Sequence, residues 1–141
     1  MAGCFITFEG TEGCGKSTHI KKLARRLEDE GHTVRTLREP GGTESGESIR
    51  HLLKHGPEEL TAEAELLLMN ASRAQLVREV IRPAIAAGEI VLCDRFYDST
   101  TVYQGTGRGL DAAQVQAVID FAVSDTRPDL TLLLQIPLKT S

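Results

Sequence analysis

The sequence predicts an α/β fold, a parallel sheet with helices on both faces, and three observations predict it. Apolar runs of strand length alternate with longer helical segments along the chain, the pattern of repeated strand–helix units. The first run, Cys4-Phe5-Ile6-Thr7-Phe8, leads into Gly10-Thr11-Glu12-Gly13-Cys14-Gly15-Lys16-Ser17, which reads G-x-x-x-x-G-K-S, and Thr18 onward reads as a helix. A later run, Ile90-Val91-Leu92-Cys93, is apolar throughout, as suits a strand buried on both faces, and it ends in Asp94-Arg95.

The elements follow in order. A strand near 4–8 precedes a helix near 16–30, which Gly31 closes in the left-handed conformation only glycine adopts easily. A strand near 33–38 runs into Arg38-Glu39-Pro40-Gly41-Gly42-Thr43, a loop of low bulk that suits a flat ligand or simply a turn. Helices are expected near 44–54 and 62–87, the second opened by Thr61 with Glu63 and Glu65 and closed by Gly88. A strand near 90–93, a short helix near 98–104, a helix near 111–125 and a strand near 130–136 complete the series. A parallel sheet ordinarily continues from such a strand into a crossover helix, so the chain reads as one domain over 1–141 that is truncated at its C-terminus.

Composition narrows the class. With 141 residues, 40% of them hydrophobic, the chain can build one core. A formal charge of −4 with scattered basic residues gives no stripe for a nucleic-acid backbone. No basic leader precedes an apolar stretch and no eighteen apolar residues run together, which predicts a soluble cytoplasmic protein without a membrane partner. Cys4, Cys14 and Cys93 are odd in number and lack C-x-x-C spacing, which argues against a disulfide framework or a zinc site; Cys14 reads as a passive small residue of the loop. His19, His32, His51 and His55 show no metal-ligand pattern and read as surface or helix residues.

The chemistry concentrates at the strand ends. In the glycine-rich loop the backbone curls until several N–H groups converge, and the following helix adds the positive end of its dipole, so a polyphosphate is held without bulky side chains. Lys16 is placed to reach the β- and γ-phosphates and Ser17 to ligate magnesium, making this a P-loop NTPase-type, three-layer fold with a nucleoside triphosphate site. Asp94 is placed to join the magnesium shell and Arg95 to clamp phosphate oxygens with its planar fork; the plainer alternative is an ion pair at a strand end. Met69 and Arg73 share a helix face with Leu66 and Val77, so Arg73 faces inward and needs acceptors, from a ligand or from a carboxylate of the protein. The polar stretch from Asp98 to Gly109 offers groups for sugar and base edges, or else a capped helix and an exposed turn.

Taken together and in this order, G-T-E-G-C-G-K-S, R-E-P-G-G-T, N-A-S-R-A-Q, C-D-R-F and Y-Q-G-T-G-R-G resemble bacterial thymidylate kinase through nearly the whole chain. The resemblance implies transfer of the γ-phosphoryl group of ATP to thymidine 5′-monophosphate (dTMP), with magnesium, in the synthesis of dTTP for DNA replication, and it implies a homodimer formed through helices. By position it makes Gly10 to Thr18 the ATP phosphate site and Glu12 the acid beside the acceptor 3′-hydroxyl. It makes Arg95 the clamp on the acceptor phosphate, Arg73 the reader of the thymine edge and Gln104 its neighbour. Tyr103 crowds the sugar 2′ position, Met69 and Pro40 line the base pocket, and Arg50 contacts phosphate. A phosphate monoester is largely dianionic at neutral pH, so the acceptor oxygen is already a nucleophile and no general base is required.

Two departures from the family pattern matter. Met69 stands where the family usually stacks an aromatic ring on the base, offering a polarizable sulfur but less area. Gly13 stands where one subclass has a basic residue; the glycine-bearing subclass takes its catalytic arginines from a lid after the last strand, which is expected to be missing here, and Gln135 replaces the acid often found at that strand's end. The competing functions are a kinase for another pyrimidine monophosphate and a P-loop ATP-binding module without acceptor activity.

Overall fold

The computed structural model describes residues 3–11, 13 and 15–135, with backbone alone at 103 and 106. Four strands, β1 (Cys4–Gly10), β2 (Val34–Arg38), β3 (Ile90–Asp94) and β4 (Leu130–Leu134), form one parallel sheet in the order β2-β3-β1-β4. Helices α1 (Lys16–Asp29), α2 (Glu44–His55), α3 (Ala62–Leu76), α4 (Arg82–Ala86), α5 (Tyr97–Thr100) and α6 (Ala112–Val123) make the connections. This is the predicted P-loop NTPase-type α/β fold.

Strand periodicity assigns the layers. Phe5 on β1 and Val91 and Cys93 on β3 pack on one face, under Leu66 and Leu76 of α3 and Val115 and Ile119 of α6. Phe8 and Leu92 turn to the other face and meet Ile20 and Ala24 of α1. The same alternation sends the two acids at the strand ends opposite ways, Glu9 toward α5 and Asp94 toward α1. The chain leaving β1 crosses past β3 to β2, and the chain leaving β3 crosses past β1 to β4, so the two connections part to opposite sides and leave a crevice at the carboxyl ends of β1 and β3, where open α/β sheets bind ligands.

The helix expected over 62–87 is one rod in three parts: α3, a π-helical turn over Val77–Ile81, and α4. Pro83 supplies the reason. It has no N–H for the carbonyl of Glu79 and its ring crowds that carbonyl, and the wider turn before it relieves both, with the Arg82 N–H reaching back to the carbonyl of Val77. The short helix expected near 98–104 is α5 followed by a π-helical stretch, Thr101–Gly107. The expected helix start holds, since the Thr61 hydroxyl accepts the Ala64 N–H at 3.1 Å. β4 ends at Leu134, and residue 136, included in that strand from the sequence, lies outside the described residues. Among the described residues no helix is long and apolar enough to cross a membrane.

The loop between β2 and α2 lies tight against α3. Gly42 has φ +88°, and a Cβ there would sit 2.7 Å from Leu76 Cδ1, so no larger residue fits without displacing the core. Gly41 donates its N–H to Ser72 Oγ at 3.1 Å, and the Gly42 N–H goes to Glu47 at 2.8 Å. Sequence and packing thus place this loop beside the end of β3.

Candidate active site

β1 runs into the phosphate loop, where Gly13 and Gly15 take φ of +79° and +86°, a region other residues enter at a cost. Gly15 is the N-cap of α1 and makes no side-chain cap, and no acid lies in the first helical turn. No side chain therefore competes with an anion for the first N–H groups of α1. Lys16 leaves this turn almost fully buried, and its Nζ lies 3.0 Å from Asp94 Oδ1.

Asp94 ends β3, and the chain turns sharply after it. Arg95 has φ +70°, one of two non-glycine residues at positive φ among those described. Its N–H is held by the Phe8 carbonyl at 2.8 Å, and the next N–H, of Phe96, by Glu9 Oε2 at 2.9 Å. A cleft of about 630 Å³ opens between the two strand ends and the β2–α2 loop, walled by Lys16, Ser17, Arg38, Pro40, Arg50, Lys54, Asp94 and Arg95 among others. Five cationic side chains thus line one cleft of an acidic chain, a local charge that favours an anion.

Behind the cleft lies a second constellation. Arg73 is 1% exposed; its Nε and Nη2 bond Glu39 Oε1 at 2.9 and 2.7 Å, its Nη2 also reaches Thr100 Oγ1 at 2.8 Å, and its Nη1 reaches Asn70 Oδ1 at 3.1 Å. The guanidinium also lies 5.4 Å from the centre of the Phe96 ring. Burial pushes the Glu39 carboxyl up, and the charge and hydrogen bonds of Arg73 pull it back. Gln104 is 2% exposed and donates to Glu65 and, at 3.5 Å, to the sulfur of Met69. Its Oε1 is buried and has no partner among the described residues. Glu9, also buried, accepts the Phe96 N–H and the Ser99 hydroxyl; burial raises its carboxyl above the ordinary range, and these two donors oppose the rise.

The residues predicted from the sequence fall into two groups. Thr11, Gly13, Gly15, Lys16, Ser17, Pro40, Arg50, Asp94 and Arg95 share the cleft, with Gly10 just before it; Arg50 also donates to the Pro40 carbonyl at 2.9 Å. Met69, Arg73 and Gln104 gather behind, and Arg73 has found the protein carboxylate that its inward position demanded. Thr18 sits apart, on the outer face of α1. Glu12, Cys14 and the side chain of Tyr103 lie outside the described residues. Sequence reasoning missed Glu9 and Lys54, and it named Arg38 and Glu39 only as part of the loop after the second strand, with no role of their own. Glu9 carried a signal, a carboxylate interrupting an apolar strand just before a glycine-rich loop, whereas Glu39 was hidden because its partner is 34 residues away.

A family model described as thymidylate kinase matches residues 8–141. The chain belongs to the thymidylate kinase family. It is 55% identical over 131 residues to the thymidylate kinase of Chlorobium luteolum, covering 93% of this chain and 61% of that protein. It is 51% identical to the thymidylate kinase of Geotalea uraniireducens, covering 97% of this chain and 65% of that relative. The crystal structure of thymidylate kinase from Ehrlichia chaffeensis superimposes with a TM-score of 0.89 at 39% identity, over 96% of this chain and 76% of the other. The chain thus spans less than two thirds of the length of these two curated thymidylate kinases. The span matched to the thymidylate kinase model includes every site residue predicted from the sequence, from Gly10 to Gln104.

Proposed function

We propose that this chain carries the substrate-binding machinery of a dTMP kinase, which moves the γ-phosphoryl group of ATP to an oxygen of the dTMP phosphate and yields ADP and dTDP. The observation that carries this reading is the placement of Arg95 across one cleft from the phosphate loop and Lys16. Two phosphate-binding elements facing one space, one for the triphosphate donor and one for the monophosphate acceptor, are what phosphoryl transfer between two nucleotides requires, and a pure ATP sensor needs only one.

In this reading the phosphate loop and Lys16 hold the donor's β- and γ-phosphates, with Lys16 exchanging Asp94 for the incoming anion. Arg95 holds the acceptor phosphate, and Arg50 adds charge from α2. The attacking oxygen bonds to the γ-phosphorus as the bond from that phosphorus to the β–γ bridging oxygen breaks, and ADP leaves with the electron pair. Ser17 and Asp94 present oxygen donors on the same wall of the cleft, a donor set that fits Mg²⁺, and these residues would hold it. When bound, the cation supplies charge neutralisation to the transferring phosphate.

The base end supports a pyrimidine imide. Arg73 donates, while Gln104 keeps an unpartnered acceptor, so together they suit a base edge that presents a carbonyl beside an N–H, as thymine and uracil do and cytosine does not. Leu67 on α3 and Phe121 on α6, exposed on two helices, suit a second copy of the chain, and a cytoplasmic homodimer supplying dTTP synthesis is the setting we assign. A nucleotide-binding module without acceptor activity is the second reading, and the near-complete burial of Arg73 and Gln104 favours it.

Calorimetry of the chain with dTMP, UMP, CMP and AMP at fixed magnesium and salt separates the readings. Preference for dTMP, with dTDP appearing when ATP is added, is the expected result. ATP binding with no monophosphate binding would leave the module reading standing.

A further inference from the structure

We infer that Glu9 is a positioning residue that holds Arg95 in the backbone conformation from which its guanidinium meets an acceptor phosphate. The inference rests on the acceptor role proposed above for Arg95. Consecutive residues of β1 grip both peptides flanking this arginine, with the Phe8 carbonyl taking the Arg95 N–H at 2.8 Å and Glu9 Oε2 taking the Phe96 N–H at 2.9 Å. Between these two anchors the backbone stands at φ +70°.

A β-carbon makes that region unfavourable, and a residue persists there only where its surroundings over-determine it. Glu9 supplies much of this determination, and packing of the residue after Arg95 adds to it. The Glu9 carboxylate is 5% exposed and so cannot drift into water. Its second oxygen accepts the Ser99 hydroxyl, which ties the first turn of α5 to the same anchor. The Phe96 ring beyond the anchored amide is packed edge-on against Phe5, with centroids 5.1 Å apart. A buried acid kept at a strand end for two donors, one of them the amide following a phosphate-binding arginine, serves placement of that arginine more than it serves the core.

The test compares dTMP with thymidine, which lacks the phosphate. In the unaltered chain the ratio of the two dissociation constants reports what the phosphate contributes. Glu9→Ala should lower that ratio by about 10- to 100-fold, the worth of a charge-assisted hydrogen bond, with thymidine and ATP binding unchanged. Glu9→Gln, whose amide oxygen still accepts the Phe96 N–H, should keep the ratio within about threefold, since that neutral bond replaces a charged one. An unchanged ratio in a folded Glu9→Ala protein, or equal weakening of dTMP and thymidine, would overturn the inference.

A second readout needs no substrate. In ligand-free protein, the backbone resonances of Arg95 should leave their left-handed signature in Glu9→Ala and retain it in Glu9→Gln; retention in both overturns the inference. If Glu9→Ala does not fold, Glu9→Asp, too short to reach both donors, takes its place in each measurement. An unaltered chain that binds dTMP no better than thymidine sinks the acceptor reading instead, and the resonances then decide whether Glu9 holds Arg95.

Discussion

The guanidinium of Arg73 and the carboxylate of Glu39 form a buried pair, 1% and 3% exposed, that binds the long helix to the loop after β2. Glu39 also donates its backbone N–H to the Asp94 carbonyl at 3.0 Å, so one residue ties the buried Arg73 constellation to the end of β3. Thr100 and Asn70 complete the shell of Arg73, and together they answer the desolvation of its charge.

Breaking this pair from one side should be costly. Glu39→Ala leaves a buried cation without its counter-charge and is expected to lose about 3–5 kcal/mol of unfolding free energy in urea titrations. The double variant Glu39→Leu with Arg73→Met should recover much of that loss while losing recognition of the pyrimidine. Equal losses in the single and double variants would show that the ion pair itself supplies the stability.

Arg95→Asn separates stability from binding. Asparagine enters the left-handed region more readily than arginine, so thermal unfolding should shift by no more than about 1 kcal/mol in either direction. Affinity for dTMP should fall by about 10- to 100-fold because a charge-assisted contact is gone. A large stability loss with intact dTMP affinity would reverse the roles assigned to this residue.

Glu9 also sets a pH dependence. Its carboxyl is raised in the folded protein, so its favourable contribution is present below the unfolded pKa near 4.5 and is lost as pH rises through the higher folded value. Glu9→Gln removes that titration. The variant should therefore gain in melting temperature relative to the unaltered chain at pH 7, and the gain should shrink as pH falls toward 4.5. A difference that grows with acidification would contradict the raised carboxyl.

Gly42→Ala tests the seat of the β2–α2 loop. Positive φ and the 2.7 Å approach of Leu76 act together, and about 1–3 kcal/mol of destabilisation is expected in denaturant titrations. Gly31→Ala, at φ +96° with open space around it, should cost less, and the difference between the two measures the close approach.

Much of the cleft's lining was legible in the sequence because its determinants are local. The glycine loop, Lys16 and Ser17 are contiguous, and Asp94-Arg95 stands where a buried strand must end. The grouping of Met69, Arg73 and Gln104 behind the cleft came only from the family resemblance. Periodicity placed Arg73 inward and demanded an acceptor, yet nothing in a one-dimensional pattern pairs residue 73 with residue 39, since they meet only through the packing of a loop on a helix. The π-turn was hidden for a different reason. Val77, Ile81 and Ala84 keep the apolar spacing of a continuous helix, so Pro83 perturbs the hydrogen bonding without leaving a mark in the hydrophobic pattern.

Neighbouring residues of a strand face opposite layers, and Glu9 and Asp94 owe their separate duties to that parity. The site should accordingly tolerate many substitutions in β1 and β3 but very few changes in length. One residue inserted between Phe5 and Phe8 would turn Glu9 toward α1 and Phe8 toward α5, setting two acids before Lys16 and none before the Phe96 amide. Deep mutational scans that include insertions and deletions should find these two short strands the least forgiving of indels in the chain, whatever latitude single replacements enjoy there.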